Sequence, residues 1–306
     1  MKRLILRGLL LIAVVLAGAV YWLFYDNRPP ADGTFPLDIT ALRAEAATVP
    51  GPGPDRIEVE TLYRSAVPKI AMIAGTNWGE LQLARNSYRL VWPDHSAIID
   101  TGNDEALARN DRWTKSYDRA AWQRMQRGLS LAGLILVTHE HGDHIGGLLQ
   151  SPDLRKLLPK ALLNPEQVES ADQDGFWPKD WRLGFTPFAY QGIKAVAPGV
   201  VLIRAPGHTP GSQMIYVRRA DGREFIFMGD TASSLDNVRL IRPRSRYVMT
   251  SGTHGDDRDA VFRQTIALNR LLKQVSGLTL VPGHDAAAIL AIERAGLLTR
   301  GFSVAP

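Results

Sequence analysis

One short block of histidines and acids constrains the fold of this sequence more than any other feature. The block THEHGDH, at residues 138–144, ends an uninterrupted apolar run that predicts a buried strand over 133–138. Imidazole and carboxylate groups are the ligands expected for zinc, iron or manganese. Since four such groups lie within six residues (His139, His141, Asp143 and His144), the pattern predicts a metal site where this strand ends.

Three further polar residues occupy the same kind of position. His208, Asp230 and His284 each follow a predicted strand, and each is preceded by a glycine. Glycine lets the backbone approach closely, and loops at the ends of strands often carry functional side chains. Any one of them alone would be interpreted as a turn residue, but their repeated placement predicts that they join the same site.

The rest of the chain predicts a mixture of strands and helices without an internal repeat. The predicted strands are 57–64, 69–74, 82–92, 97–100, 133–138, 200–205, 213–218, 224–228 and 278–281. The predicted helices are 118–131, 145–158 with a break at Pro152, 259–275 and 286–295. Runs of strands followed by alternating strands and helices favour two sheets packed face to face, with helices outside.

Five ordered motifs resemble those of the metallo-β-lactamase superfamily over roughly residues 57–298. They are IDTG at 99–102, the block 139–144, His208, Asp230 and His284. The resemblance implies an α/β fold of the αββα type, in which two mixed sheets flanked by helices hold a dinuclear metal site between them.

The resemblance also implies a role for each motif residue. One metal would be bound by His139, His141 and His208, the other by Asp143, His144 and His284, and both by Asp230 as a bridge. Asp100 would orient a ligand histidine, a role that metal sites generally require. Glu140 lies between two ligands, is expected to point away, and is given no role.

The implied cofactors are two divalent metal ions, with zinc expected and iron or manganese as alternatives. Two ions about 3.5–4 Å apart lower the pKa of a shared water towards about 7 and polarise a carbonyl or phosphoryl group. The implied activity is therefore hydrolysis by a hydroxide held between the metals. Asp143 or Asp230 would be catalytic by passing a proton to the leaving group.

The small-molecule substrate is predicted to be a carbonyl ester or a lactone. The chain has no cysteine, so it lacks the ligand of thiolate-using β-lactamases, and it keeps Asp230, which the cysteine-free ones generally lack. A β-lactam stays an alternative, as does a phosphodiester or sulfate ester if Arg242, Arg244 and Arg246 turn inward. Their alternation over 241–247 instead predicts the solvated face of a strand. A non-catalytic metal-holding or binding module is the alternative from another class.

The N-terminus predicts export from the cytoplasm. Residues 8–25 contain no charge and no proline, and Lys2, Arg3 and Arg7 precede them. We therefore predict a transmembrane anchor over 1–25, a Pro/Gly-rich linker over 26–56 and a catalytic domain over 57–306 on the periplasmic or extracytoplasmic side. Aromatic residues 21–25 would form an interfacial belt. The alternative is a signal peptide that is cleaved after Ala19, which releases the protein into the periplasm.

Three weaker features complete the sequence hypothesis. The formal charge is +5, but three of the positive charges precede the apolar run, so no nucleic-acid partner is expected. His95 is predicted to be a solvated turn residue, and His254 lies in a loop that could border the site. An aromatic segment would either cover an apolar substrate or pack on itself; its members are Phe176, Trp177, Trp181, Phe185, Phe188 and Tyr190.

Overall fold

Two mixed β-sheets form the centre of the protein. The computed structural model describes residues 2–171, 178, 180–250 and 255–304. The first sheet contains Arg56–Pro68 (β1), Glu80–Val91 (β2), Ser96–Ile99 (β3), Thr114–Tyr117 (β4), Leu134–Leu136 (β5) and Thr299–Arg300 (β11). Its order is β11–β1–β2–β3–β5, with β4 beside β1. The second sheet contains Ile193–Ala197 (β6), Val200–Arg204 (β7), Gln213–Arg218 (β8), Glu224–Phe227 (β9) and Leu278–Val281 (β10), in the order β10–β9–β8–β7–β6.

Helices cover the outer faces of both sheets. The helices are Lys2–Val20 (α1), Ile39–Ala46 (α2), Lys69–Met72 (α3), Glu105–Asn110 (α4), Arg119–Leu131 (α5), Gly142–Leu149 (α6), Leu154–Leu157 (α7), Pro165–Ala171 (α8), Leu235–Leu240 (α9), Arg246–Met249 (α10), Arg258–Gln274 (α11) and Ala286–Arg294 (α12). A π-helical turn, Tyr21–Tyr25, continues α1, and short 3₁₀ turns occupy Leu158–Lys160 and Gly229–Thr231.

Three apolar cores define the layers of the fold. The inner core joins Val59 and Leu90 of the first sheet to Leu202 and Ile215 of the second. A second core packs α5 and α6 against the outer face of the first sheet, and a third packs α2 and α11 against the second sheet. Apolar side chains on both faces of each sheet produce this helix–sheet–sheet–helix order. The predicted αββα architecture is confirmed.

The strand directions bring five strand ends to one edge of the sandwich. In the first sheet β3 and β5 are parallel. In the second sheet β9 and β10 are parallel. Strands β7 and β9 both run antiparallel to β8, which lies between them, so β7 and β9 share a direction. The motif residues Asp100, 139–144, His208, Asp230 and His284 directly follow these five strands. Residues far apart in sequence are thereby placed side by side.

Two predicted strands are wrong. Residues 69–74 contain helix α3, because Pro68 ends β1 and has no N–H group with which to continue the ladder. A short apolar run such as this one cannot be assigned from periodicity alone. Residues 241–247 form a turn that leads into α10, and Ile241 has a left-handed backbone with φ of 52°. An extended strand cannot pass through that conformation.

The N-terminal region divides into an exposed apolar helix and a packed segment. The helical stretch Lys2–Tyr25 is long and apolar enough to cross a membrane. Its most apolar 18 residues have a mean hydropathy of 2.4, and none of them is buried within the protein. Within the predicted linker 26–56, α2 instead contacts the second sheet. Leu42 is only 1% exposed, and the Arg43 guanidinium pairs with the Glu224 carboxylate at 2.6 Å.

Replacing Leu42 with alanine tests whether this segment is part of the folded domain. We expect Leu42→Ala to lower the free energy of unfolding by about 2–5 kcal/mol, because it leaves a cavity between α2 and the second sheet. Urea denaturation in detergent measures the loss, and Thr40→Ala on the exposed face of α2 is the matched control. Equal midpoints for both variants and the wild type would contradict the packing role.

Candidate metal centre

Three histidines from two strand ends form one ligand cluster. Nε2 of His139 lies 3.1 Å from Nδ1 of His141, and Nε2 of His208 lies 3.0 Å from the same atom. In a tetrahedral zinc site with bonds of about 2.0–2.1 Å, ligand nitrogens lie roughly 3.3 Å apart. The three ring nitrogens are therefore close to the spacing that one ion requires.

A second cluster lies beside the first. Nε2 of His284 is 3.3 Å from Nε2 of His144 and 3.4 Å from Oδ2 of Asp143. Asp143 and His144 begin helix α6, whereas His284 precedes α12, so residues 140 positions apart share this cluster. The sequence prediction grouped these same three residues.

Asp230 faces both clusters, one with each carboxylate oxygen. Its Oδ1 lies 2.9 Å from Nε2 of His284, and its Oδ2 lies 3.8 Å from Nε2 of His208. Asp230 lies in the 3₁₀ turn that follows β9, and a side chain at Gly283 would collide with its Oδ1. This close approach explains why glycine precedes His284.

The outward-facing nitrogens of the histidines are held by neighbouring groups. Nδ1 of His144 lies 2.8 Å from Oδ2 of Asp100, and Nδ1 of His284 lies 3.3 Å from the carbonyl oxygen of Ala84. Asp100 also accepts hydrogen bonds from the backbone N–H and the hydroxyl of Thr138. Such partners fix the tautomer that leaves Nε2 free for a metal.

Glu140 points away from both clusters. Its carboxylate accepts hydrogen bonds from the hydroxyl of Thr209 at 2.8 Å and from the backbone N–H of Gly211 at 3.2 Å. Thr209 and Gly211 belong to the loop that carries His208, so Glu140 joins the 138–144 block to that loop. This contact is structural, and the side chain points away from the two clusters, as the sequence predicted.

The electrostatic environment of the clusters suits cation binding. Burial lowers the pKa of His141 to about 3 and lowers that of His139 well below its usual value, so both rings are neutral, as metal ligation requires. Burial opposes a charge on His144 as well, but Asp100, Asp143 and Asp230 outweigh it and raise its pKa to about 9. This half of the site therefore attracts positive charge.

The donor set fits a pair of divalent ions. Oδ1 of Asp230 is buried and has no hydrogen-bond donor in suitable geometry, which is costly for a carboxylate unless a cation is present. Histidine nitrogens and carboxylate oxygens are the ligands of zinc and of similar metals. The two adjoining groups could each hold one ion.

The match to a protein family agrees with this geometry. The sequence profile of the metallo-beta-lactamase superfamily matches residues 82–284, well over half of the chain. The chain belongs to the metallo-β-lactamase superfamily. The resemblance found in the sequence is thus confirmed, and the protein is a hydrolase with the metallo-β-lactamase fold.

A fungal thioesterase is similar to part of the chain. An atrochrysone carboxyl ACP thioesterase of Pseudocercospora fijiensis is 29% identical over 148 residues, which are 46% of this chain and 36% of the thioesterase. The chain thus spans about a third of the length of that relative.

Solved structures share the metallo-β-lactamase fold at low identity. An N-acyl homoserine lactone hydrolase, with N-hexanoyl-L-homoserine at its catalytic metal centre, is 18% identical with a TM-score of 0.58, covering 78% of this chain and 96% of that one. A probable metal-dependent hydrolase from Staphylococcus aureus is 15% identical with a TM-score of 0.58, covering 77% and 91%.

Arg85, Arg244 and Asp256, which the sequence did not assign to the metallo-β-lactamase site, all contact it. The Arg244 guanidinium is buried and bonds to the carboxylate of Asp256. Oδ1 of Asp256 lies 3.3 Å from Nδ1 of His208, and Nη2 of Arg244 contacts the same nitrogen, so the two residues together hold the His208 ring in place. The prediction that Arg244 faces solvent is wrong, because the turn after Ile241 directs it inward. No sequence signal separated Asp256 from Asp257, which caps α11.

The clusters open into a cavity of about 710 Å³. The candidate ligands His141, Asp143, His208, Asp230 and His284 line part of it, and much of the remaining wall is apolar. That apolar wall contains Phe24, Val67, Pro68, Ala71, Met72, Trp78, Leu83, Trp113 and Tyr247. The cavity therefore combines an apolar lining with a cluster of polar groups, as is typical of small-molecule sites.

The other histidines and aromatic residues singled out in the sequence either lie away from the cavity or fall outside the described residues. His95 is partly exposed and pairs with Asp94, as a turn residue. His254, Phe176 and Trp177 lie outside the described residues. Trp181 and Phe185 pack in the core beneath the first sheet, and Phe188 and Tyr190 pack against the core between the sheets. These four described residues pack inward instead of lining the cavity.

Proposed function

We propose that this protein is a membrane-anchored, dinuclear metallo-hydrolase of carbonyl esters or lactones. The observation that carries the proposal is Asp230, whose two oxygens face two separate ligand clusters. In this proposal His139, His141 and His208 would hold one ion, Asp143, His144 and His284 would hold the other, and Asp230 would contribute to both. Bound ions of this kind supply an activated water and polarise the substrate carbonyl.

Asp143 is the residue that we assign to proton transfer. Its side chain is 23% exposed, whereas that of Asp230 is 9% exposed, so Asp143 faces the cavity more openly. Nε of Arg85 donates to its Oδ2 at 2.8 Å, which leaves Oδ1 to receive a proton and deliver it to the leaving group. Asp230 keeps both oxygens directed at the ligand clusters.

An uncharged acyl substrate suits the cavity better than a charged one. Much of the cavity lining is apolar. Of the three arginines that line it, Arg85 and Arg244 are paired with carboxylates, and the guanidinium of Arg112 lies over the ring of Trp113. Among the relatives, a thioesterase and homoserine lactone hydrolases also act on acyl compounds. These points support an ester or lactone over a β-lactam.

A matched substrate panel tests the proposal. The full chain in detergent is loaded separately with zinc, manganese and iron, and kcat/KM is measured on a lactone, a thioester, a phosphodiester and a cephalosporin. We expect the lactone or thioester to be the best substrate. Cephalosporin turnover about tenfold above that of the lactone would contradict this choice, although the difference amounts to only about 1.4 kcal/mol. Inertness across the panel would favour a metal-holding module.

A phosphodiester or sulfate ester is the second candidate, because Arg244 does turn inward. Its guanidinium is held by Asp256 and lies 3.4 Å from Oδ2 of Asp230. Since arginine binds phosphate and sulfate well, the phosphodiester in the panel decides between the candidates. Turnover of the phosphodiester well above that of the lactone would establish this second function instead.

Asp100→Asn should weaken metal binding without unfolding the protein. Asparagine tolerates the left-handed backbone at this position, where φ is 56°, but it removes the charge that holds His144. Loss of such a partner typically costs about 10–100-fold in metal affinity. Competition with a chelating dye measures this affinity, and unchanged affinity would show that Asp100 does not position His144.

The apolar helix α1 is proposed to remain as an anchor, with the hydrolase domain on the periplasmic or extracytoplasmic side. Lys2, Arg3 and Arg7 support this orientation through the positive-inside rule. We expect alkaline phosphatase fused to the C-terminus to be active in cells. A reporter active only in the cytoplasm would refute the orientation, and a mature N-terminus at Val20 would refute retention but not export.

A further inference from the structure

The end of the apolar helix is fixed to the hydrolase domain. Within the π-helical turn Tyr21–Tyr25, the carbonyl oxygen of Phe24 accepts a hydrogen bond from the backbone N–H of Gly75 at 2.8 Å. The indole N–H of Trp78 donates to the hydroxyl of Tyr25 at 3.1 Å. The turn is thus joined to the loop that precedes β2.

Asp26, directly after this turn, strengthens the attachment. Its buried carboxylate pairs with the guanidinium of Arg246 at 2.8 Å, and its carbonyl oxygen accepts a hydrogen bond from Arg258 at 2.7 Å. These arginines begin helices α10 and α11. Contacts from three separate parts of the domain therefore fix where the apolar helix meets it.

The attachment places Phe24 in the wall of the active-site cavity. Its ring lies 5.0 Å from that of Trp78 and 5.4 Å from that of Tyr247, and all three line the cavity that the candidate metal ligands also line. Trp78 is 56% exposed and Tyr247 is 47% exposed, so they stand at the mouth. Val67, Met72 and Leu83 add apolar surface to the same cavity.

With α1 as the proposed membrane anchor, the same attachment would place the mouth at the membrane surface. The stretch Lys2–Tyr25 has 24 residues and spans roughly 36 Å as a helix, slightly more than the hydrocarbon thickness of about 30 Å. Its last turn then lies at the lipid headgroups, where tryptophan and tyrosine are favoured. Trp78 and Tyr247, which come from the hydrolase domain, add to the aromatic surface at this level.

We propose that the substrate is an ester with a long acyl chain that enters from the bilayer, past the end of the protein's own anchor. The carbonyl group would lie at the ligand clusters, and the acyl chain would lie against Phe24, Trp78 and Tyr247 and extend into the lipid. This inference rests on the proposed function, because it requires a retained anchor and an ester or lactone as substrate. It assigns Phe24, a residue of the anchor, to substrate binding.

The test compares chain lengths and routes of delivery. Metal-loaded full-length protein is reconstituted in vesicles of phosphatidylcholine and phosphatidylglycerol, and kcat/KM is measured for 4-nitrophenyl butyrate and for 4-nitrophenyl laurate carried in the vesicles. We expect the laurate to be preferred by at least about tenfold, since each buried methylene adds binding energy. When laurate is supplied from cyclodextrin to protein in detergent, without vesicles, the laurate-to-butyrate ratio of kcat/KM should be at least about fivefold smaller.

Variants show whether the wall carries this preference. Phe24→Ala and Trp78→Ala should each reduce the laurate-to-butyrate ratio by about fivefold or more, whereas Tyr21→Ala should keep the wild-type ratio. Tyr21 is an aromatic of the same turn that does not line the cavity. Two substitutions are used so that misfolding of one variant leaves the other to decide.

The outcomes separate this inference from the proposed function. Hydrolysis of both esters without chain-length preference, or with equal preference from cyclodextrin and from vesicles, would overturn membrane delivery while leaving the hydrolase intact. Unchanged ratios in both wall variants would overturn the role of Phe24 and Trp78. Failure of the metal-loaded wild type to hydrolyse either ester would contradict the proposed function itself.

Discussion

Asp230→Asn should lower kcat/KM by at least about 10³-fold, a loss of roughly 4 kcal/mol in transition-state stabilisation. The substitution keeps the shape of the side chain but replaces one charged oxygen with an amide nitrogen, which cannot bind a metal. Since one oxygen of Asp230 lies 2.9 Å from His284 and the other 3.8 Å from His208, the variant should lose the bridge between the clusters. Metal content should fall below that of the wild type.

The control for this variant is Asp259→Asn, an acid-to-amide change at an exposed residue in the first turn of α11. It should leave activity and metal content at wild-type values. Circular dichroism of Asp230→Asn should retain the helix and sheet signals, because the sandwich core lies apart from this side chain. An Asp230→Asn protein with wild-type kcat/KM would show that the bridge is not needed for hydrolysis.

Removing the metals should abolish activity and destabilise the fold. Dialysis against a chelator leaves the buried Oδ1 of Asp230 without a partner, and it also removes the stabilisation that a bound ligand provides. That stabilisation is about 4 kcal/mol when free metal is at 1,000 times its Kd, which corresponds to a fall in Tm on the order of 10 °C. Activity and Tm should both return when zinc is added back.

Calorimetry and an ester assay on the same dialysed sample provide the measurement. The matched control is dialysis against buffer that contains free zinc in addition to the chelator. Undiminished hydrolysis after chelation, with metal content near zero by elemental analysis, would contradict a metal-dependent mechanism.

The metal-ligand constellation was predictable because its members lie at strand ends. A strand-terminal position next to glycine is a local signal, visible at His208, Asp230 and His284 without knowledge of the topology. The parallel directions of β3 with β5 and of β9 with β10 then bring these ends to one edge. The residues that the sequence grouped into one site are therefore the ones that the sheet topology brings together.

The residues that support the ligands were not predictable in the same way. Arg244 faces inward because Ile241 adopts a left-handed conformation that ends the preceding helix, and nothing in the alternation of arginines signals that turn. Asp256 contacts His208 because β7 and the loop before α11 meet, and the neighbouring Asp257 gives the same local helix-start signal. These positions depend on tertiary contacts.

The wall of the cavity was the least accessible to sequence reasoning. Aromatic residues near 176–190 suggested a cover, yet Trp181 packs into a core, and Phe24, predicted only as part of an interfacial belt, lines the cavity. Composition identifies aromatic clusters, but it does not say which surface they cover. The packing of the π-helical turn against Trp78 decides that question.

Titration of metal-free protein with zinc, followed by elemental analysis and by the ester assay, tests the dinuclear site most directly. We expect the wild type to bind two ions per chain and to reach full activity only when both are bound. Asp230→Asn should bind fewer than two ions per chain. Full wild-type activity at one ion per chain would contradict a dinuclear site.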